Sequence, residues 1–267
     1  MLKDITLGQY FPGDTVIHRL DPRTKIISLI VFIAALFTAK SWISFGVIFV
    51  FLTVCVILSK LTLKTIFKGL KPLLIIIIFT AILNGFFTKG DVIVKFWIIS
   101  LTKQGLQRAA LMILRIVMLI TGSLLLTYTT SPIALTDGLE VLLSPLKKIH
   151  LPIHELSMMM SIALRFIPTL IEETDKIMSA QKARGADFET GNILEKAKAL
   201  MPLLVPLFVS AFRRADELAI AMESRCYHGD SGRTRMKQLT MKWYDAVALV
   251  LILVLLAVTI VLSVFGM

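Results

Sequence analysis

The sequence predicts an all-α polytopic membrane protein. It would have about five transmembrane helices and a cytoplasmic helical coupling domain inserted before the last span. Three observations predict this. Apolar residues make up 56% of the 267 positions and the mean hydropathy is +0.81, a composition typical of membrane proteins. The apolar residues gather into runs near 26–39, 42–59, 72–87, 106–128 and 243–265. The basic residues behind the net charge of +11 collect between those runs. There they orient helices in a membrane, which makes nucleic acid a poor partner for this chain.

Residues 1–25 are polar and rich in turn formers, with Phe11-Pro12-Gly13-Asp14 followed by His18-Arg19-Leu20-Asp21-Pro22-Arg23-Thr24-Lys25. No cleavable signal peptide is visible, since Lys3 and Asp4 are polar and the first apolar run starts only at Ile26. The basic residues just before that run place the N-terminus in the cytoplasm. Asp21-Pro22 reads as an N-cap followed by proline at the first helical position. Ile26 to Ser59 spans 34 residues, about 51 Å as one helix, against a hydrocarbon core of about 30 Å. It must fold back near Lys40-Ser41. Its first leg, 26–39, is short for a span, so Lys40 snorkels or the leg tilts among neighbours.

Lys60, Lys64, Lys68 and Lys71 form a cytoplasmic connector, and Pro72 to Phe87 the third span. Residues 88–104 read as an extracellular hairpin or interfacial elbow, from the β-branched and aromatic content of Val92-Ile93-Val94 and Phe96-Trp97-Ile98-Ile99 between Gly90 and Gly105. Leu106 to Tyr128 is the fourth span. Arg108 can reach the interface, whereas Arg115 lies about two turns in. An ionisable group at that depth either bonds structural backbone or lines a transport path.

From Thr129 to Lys242 charges of both signs appear throughout. Leu200–Phe212 carries Pro202 and Pro206, and Leu156–Ile171 is interrupted by Arg165 and Pro168. Such runs are buried or interfacial rather than spanning. The division is therefore 1–128 (N-terminal segment and four spans), 129–242 (coupling domain) and 243–267 (last span). Lys242, Trp243 and Tyr244 anchor that span at the interface. Five spans put the C-terminus outside.

Enzymatic chemistry finds little support. The sequence has no GxxxxGK[ST] phosphate loop, no HExxH and no serine elbow. His150 and His154 are four apart, but Pro152 lies between them and no carboxylate or cysteine stands at ligand spacing. Glu172-Glu173 with Asp175 reads as a solvated helix face. Cys55 lies in an apolar run and Cys226 in a distant polar cluster, so no bridge is expected. Eight of the 12 methionines lie in the coupling domain: Met158, Met159, Met160, Met178, Met201, Met222, Met236 and Met241. Methionine suits both core filling and surfaces that fit several partners.

Two clusters organise that domain, Ala183-Arg184-Gly185 and Ser224-Arg225-Cys226. Their arginines stand 41 positions apart (184 to 225). The same offset places Met160 on Met201, Asp175 on Asp216 and Ala180 on Ala221, and keeps apolar Ile167 and Ile177 in step with Phe208 and Leu218. Each arginine ends a helical stretch, Glu172–Ala183 or Ala211–Arg225. Two readings stand side by side. A basic last turn complements the helix dipole. Equally, small neighbours let an arginine project from a thin tip and pair bidentately with a partner's carboxylate.

These residues resemble a known family, the transmembrane T component of energy-coupling factor (ECF) transporters, the vitamin- and metal-importing branch of ABC transporters. The likeness rests on Tyr10…Pro12-Gly13-Asp14…His18-Arg19-Leu20-Asp21-Pro22-Arg23-Thr24-Lys25, the order of spans and the pair of Ala-Arg-Gly-type motifs. The second motif departs from that pattern at both flanks. The resemblance implies a non-catalytic coupling subunit in the cell membrane, without a cofactor, since ATP is bound by partner subunits. Its partners would be two cytoplasmic ABC ATPases, as a heterodimer, and a small membrane substrate-binding component. Arg184 would serve one ATPase and Arg225 the other. The Met-rich helices, with Met158, Met159, Met160 and Met201, would grip the substrate-binding component. The competing reading is a stand-alone channel or secondary carrier with Arg115 on its path.

Overall fold

The computed structural model describes residues 10–88, 91–96, 99–149, 151–186, 188, 192–229 and 239–265. They form helices α1 (Val16–Arg19), α2 (Pro22–Thr38), α3 (Trp42–Ser59), α4 (Leu63–Leu70), α5 (Leu74–Phe87), α6 (Lys103–Thr129), α7 (Pro132–Leu143), α8 (Ile153–Ala183), α9 (Ile193–Glu223) and α10 (Trp243–Val264). An antiparallel pair, β1 (Val92–Phe96) and β2 (Ile99–Thr102), joins α5 to α6, with Phe96 opposite Ile99 and Val92 opposite Thr102. Of the two forms expected between Gly90 and Gly105, a hairpin or an interfacial elbow, the strand pairing is that of a hairpin. The chain divides into two compact units. One is built from Gly8–Gly138 with Leu239–Met267, and the other mainly from Leu139–Gln238.

In the first unit, four stretches among the described residues are long and apolar enough to cross a membrane: Trp42–Ser59, Leu63–Phe86, Lys103–Thr129 and Trp243–Val264. Helix α2, with 17 residues, is shorter and lies at the centre. Its Phe32, Ala35, Leu36 and Ala39 are buried with Phe45, Ile48 and Leu52 of α3, Met118 of α6, and Ile252 and Leu255 of α10. Asp21 caps it as expected, its side chain accepting from the Arg23 amide at 2.9 Å, with Pro22 in the first position.

The third span departs from the expected 72–87. The lysine connector is itself helical and runs through a 3₁₀ turn at Lys71–Leu73 into α5. Ile66 and Leu70 are buried beside Val56, against Val117, Ile120 and Leu125 of α6, while Lys64 and Lys68 face outward. Four lysines hid an amphipathic helix because only two apolar residues are needed to seat it. Helix α6 also runs beyond 106–128. Its N-cap Thr102 accepts from the Gly105 amide at 3.0 Å. Gly105 permits a close approach of α5, since a Cβ there would stand 2.8 Å from the Gly85 carbonyl oxygen.

Polar bonds fasten the ends of this bundle. Lys25 is buried, and its ammonium donates to the Thr129 carbonyl (2.8 Å), the Thr130 hydroxyl (3.2 Å) and the His18 carbonyl (3.2 Å). Arg115 Nη2 of α6 donates to the Ala39 carbonyl (2.8 Å) at the C-cap of α2, with its guanidinium against Phe37 and Phe45. Each of the two antiparallel helices thus supplies the cation that caps the other's C-terminus, satisfying carbonyls that a helix end leaves unpaired. Asp245 of α10 is 1% exposed and accepts from the Asp21 amide (2.8 Å) and the Lys242 amide (2.9 Å). Arg23 bonds Asp21 and, through Nη2, the Leu239 carbonyl at 2.6 Å.

In the second unit α8 and α9 pack together, each 31 residues long, about 46 Å at 1.5 Å per residue. The prolines expected to interrupt these stretches do not end them. Pro168 lies inside α8, and Pro202 and Pro206 inside α9. Each proline forfeits one backbone bond, and packing of the two long helices keeps them continuous. Glu173 is more than a solvated face. It accepts from the Ser210 hydroxyl and from Arg214 Nη2 (3.0 Å), tying α8 to α9. The Ser210 bond first, then Arg214, holds its carboxyl below the usual carboxylate range. His154 likewise has a carboxylate partner, with Nδ1 2.9 Å from Glu140 Oε1. His150 lies outside the described residues. Among those described, no three His, Cys, Asp or Glu side chains come together as a metal site would need.

Candidate functional site: two matched helix tips

The two arginine clusters adopt the same backbone motif. Arg184 is the C-cap of α8, and the next residue, Gly185, has φ +89°. The Gly185 amide donates to the Lys182 carbonyl (3.0 Å) and the Ala186 amide to the Gln181 carbonyl (3.0 Å). After α9, Cys226 has φ +56°. Its amide donates to the Glu223 carbonyl (2.8 Å), and the Tyr227 amide to the Met222 carbonyl (3.1 Å). This is the paired bonding of a Schellman cap, repeated atom for atom along the chain. Arg184 and Arg225 hold equivalent positions, both exposed, and neither side chain has an ion pair among the described residues.

The divergent flanks of the second motif now have a physical account. Ser224 stands where Ala183 stands in the first. Its hydroxyl folds back to donate to the Ile220 carbonyl (2.8 Å), so it presents little more than a methylene outward. Cys226 fills the left-handed position that glycine holds in the first tip. A side chain there costs roughly 1 kcal/mol, partly offset by the His228 ring, whose Nδ1 lies 2.8 Å from the Cys226 carbonyl. Cys226→Gly is therefore expected to tighten its tip, and Gly185→Ala to loosen the other, each by about 1 kcal/mol. Hydrogen exchange at the Tyr227 and Ala186 amides reads this directly. Exchange should slow about fivefold in the first variant and quicken about fivefold in the second.

The methionines divide. Met159, Met160 and Met201 are exposed, whereas Met158, Met178 and Met222 are half-buried. Met241 belongs to the other unit, and Met236 lies outside the described residues. Met201 heads a stripe that reading by methionine alone missed. Val205, Phe208 and Phe212 follow it at helical spacing and are 59%, 61% and 68% exposed. The signal was present as i, i+4, i+7, i+11 periodicity, but prolines at 202 and 206 obscured it. On α8, Leu156, Met159 and Met160 are likewise exposed. So large a run of open apolar side chains marks a surface that another protein or lipid covers. Arg115 is engaged by Ala39, Phe37 and Phe45, the structural one of its two readings.

Fold and tips together define a class: a polytopic helical membrane protein with a pair of long helices that end in the same cap, each with an arginine at the C-cap position. Comparison with known proteins narrows this. The family described as cobalt transport protein, CbiQ, matches residues 13–238. The energy-coupling factor transporter transmembrane protein EcfT of Clostridium kluyveri is 55% identical over 262 residues, 97% of either chain. Its counterpart in Thermosediminibacter oceani is 55% identical over 249 residues, 93% of this chain and 94% of its own. That of Listeria innocua is 47% identical over 256 residues. The chain belongs to this CbiQ/EcfT family of membrane transport proteins.

Proposed function

We propose that this chain is the transmembrane coupling subunit of an ECF-type importer, a transporter of vitamins or metal ions. It binds no nucleotide itself. Two cytoplasmic ATPases hydrolyse ATP, and Arg184 and Arg225 each seat in one of them, paired with a carboxylate. The N-terminus and both tips then lie on the cytoplasmic side. The exposed stripe from Met201 to Phe212, with Met159 and Met160, holds the membrane subunit that captures substrate. The observation that carries this reading is the repeated cap. Two stiff helices end in superposable turns that leave an arginine free, and a coupling element needs both a rigid lever and a charged grip.

Affinity capture of the chain from its native membrane tests the reading. Two ATPase polypeptides and at least one small membrane protein are expected to come with it. Uptake by the purified chain alone in liposomes, without ATPases or ATP, would support a carrier instead.

A further inference from the structure

The membrane-embedded unit contains a groove of about 340 Å³, within the range of ligand sites. Its floor is formed by α2 and α6, at Leu29, Phe32 and Leu125, and its open sides by Val54 and Leu58 of α3 and Leu251 of α10. Those side residues are about half exposed, so the groove opens laterally. The lining is almost wholly apolar. The one charge that reaches it, Lys25, already directs its ammonium to Thr129, Thr130 and His18. Beyond Lys25 the lining holds few polar side chains, Ser28, Cys55 and Thr129, the last donating to the Leu125 carbonyl at 2.8 Å, so the groove suits hydrocarbon.

The mouth has the opposite character. Trp243, 77% exposed, and Tyr244 line it with their rings edge to face. This is the aromatic pair expected at headgroup depth. Two exposed cations adjoin lining residues in the chain: Lys242, which precedes Trp243 and has its ammonium 5.7 Å from the Tyr244 ring centroid, and Arg19, which precedes Leu20. Neither has an ion pair among the described residues. Nearby Asp21 and Asp245 are buried and committed to backbone amides and Arg23. An apolar slot with an aromatic rim and two exposed cations that have no ion pair among the described residues matches an anionic phospholipid. One acyl chain would lie in the slot, with the phosphate at the rim.

We propose that this groove is a binding site for an anionic phospholipid. The headgroup is held by Arg19 and Lys242, and one acyl chain lies between α3 and α10. Each basic residue near an anionic headgroup contributes roughly a fivefold preference. The site should therefore favour anionic over zwitterionic lipid by about an order of magnitude.

The test uses the full chain with Trp42→Phe and Trp97→Phe, which leaves Trp243 as the reporter. It is reconstituted in vesicles where either phosphatidylglycerol or phosphatidylcholine, as a minor component, carries brominated chains. Quenching by brominated phosphatidylglycerol should exceed its mole fraction several-fold, and brominated phosphatidylcholine should not. Arg19→Gln with Lys242→Gln, both on the surface, should abolish the excess. Ala248→Phe, which fills the slot, should abolish it while thermal unfolding stays within a few degrees. Quenching that follows mole fraction for both lipids would overturn the proposal. So would an excess that survives both sets of substitutions. Loss of a co-purified membrane protein on Ala248→Phe, with lipid quenching unchanged, would assign the groove to a partner helix and also overturn it.

Discussion

Arg184→Glu combined with Arg225→Glu is expected to abolish ATP-driven uptake while the chain still inserts and accumulates normally. Both arginines are exposed at helix ends, and their side chains have no ion pair among the described residues, so the fold does not depend on those side chains. At a partner's carboxylate the same side chains would be desolvated and bidentate. Removing one member of such a pair costs about 2–5 kcal/mol, roughly 30-fold or more in affinity per tip. Reversal adds repulsion. The single variants should each loosen the complex, and the double variant should release the ATPases on purification. A fully active, stable complex recovered from the double variant would remove the coupling proposal. Arg→Lys at either position should fall between, since a point charge replaces a planar fork.

The second large effect is on stability. Asp245→Ala is expected to destabilise the chain by about 2–5 kcal/mol, because it leaves the buried Asp21 amide and the part-buried Lys242 amide without an acceptor. Those amides stand at the starts of α2 and α10, so one carboxylate joins two helices 224 positions apart. Thermal unfolding in detergent should show a fall in Tm of around 10 °C. Asp245→Asn, which keeps one acceptor oxygen, should lie in between. Asp14→Ala, at an exposed position, should change little. A Tm for Asp245→Ala within a degree or two of the unaltered chain would mean that water or backbone replaces the carboxylate.

Features set by neighbours in the chain are legible in the sequence, and features set by distant partners are not. Spans, the Asp21-Pro22 cap and the hairpin between Gly90 and Gly105 depend on neighbours in the chain, and their signals are local. The tips were visible for the same reason: glycine after a basic last turn is a local stop, and the 41-residue offset repeats it. What was missed is long-range or averaged out. Lys25 read as one of the basic residues flanking the first run, and Asp245 drew no reading, yet each bonds a partner more than 100 positions away. Helix α4 was hidden under four lysines, because Ile66 and Leu70 are too few to register as a run. Prolines 168, 202 and 206 looked like breaks. Lateral packing of α8 on α9, with Glu173 bonded to Ser210 and Arg214, overrides a local preference that acts one residue at a time. Cys226 read as a departure from the motif. Only its positive φ shows it doing the work of glycine at some cost.

The central claim is that the two tips engage two ATPases separately. Site-specific cross-linking tests it most directly. A thiol-reactive photo-cross-linker is placed at Cys226 in one sample, and at Gly185→Cys with Cys226→Ser in the other, with the complex assembled in membranes. The account predicts that each position captures an ATPase polypeptide, and that the two positions capture different subunits of the pair. Capture of lipid or of the substrate-binding membrane protein alone, with no ATPase at either position, would contradict it.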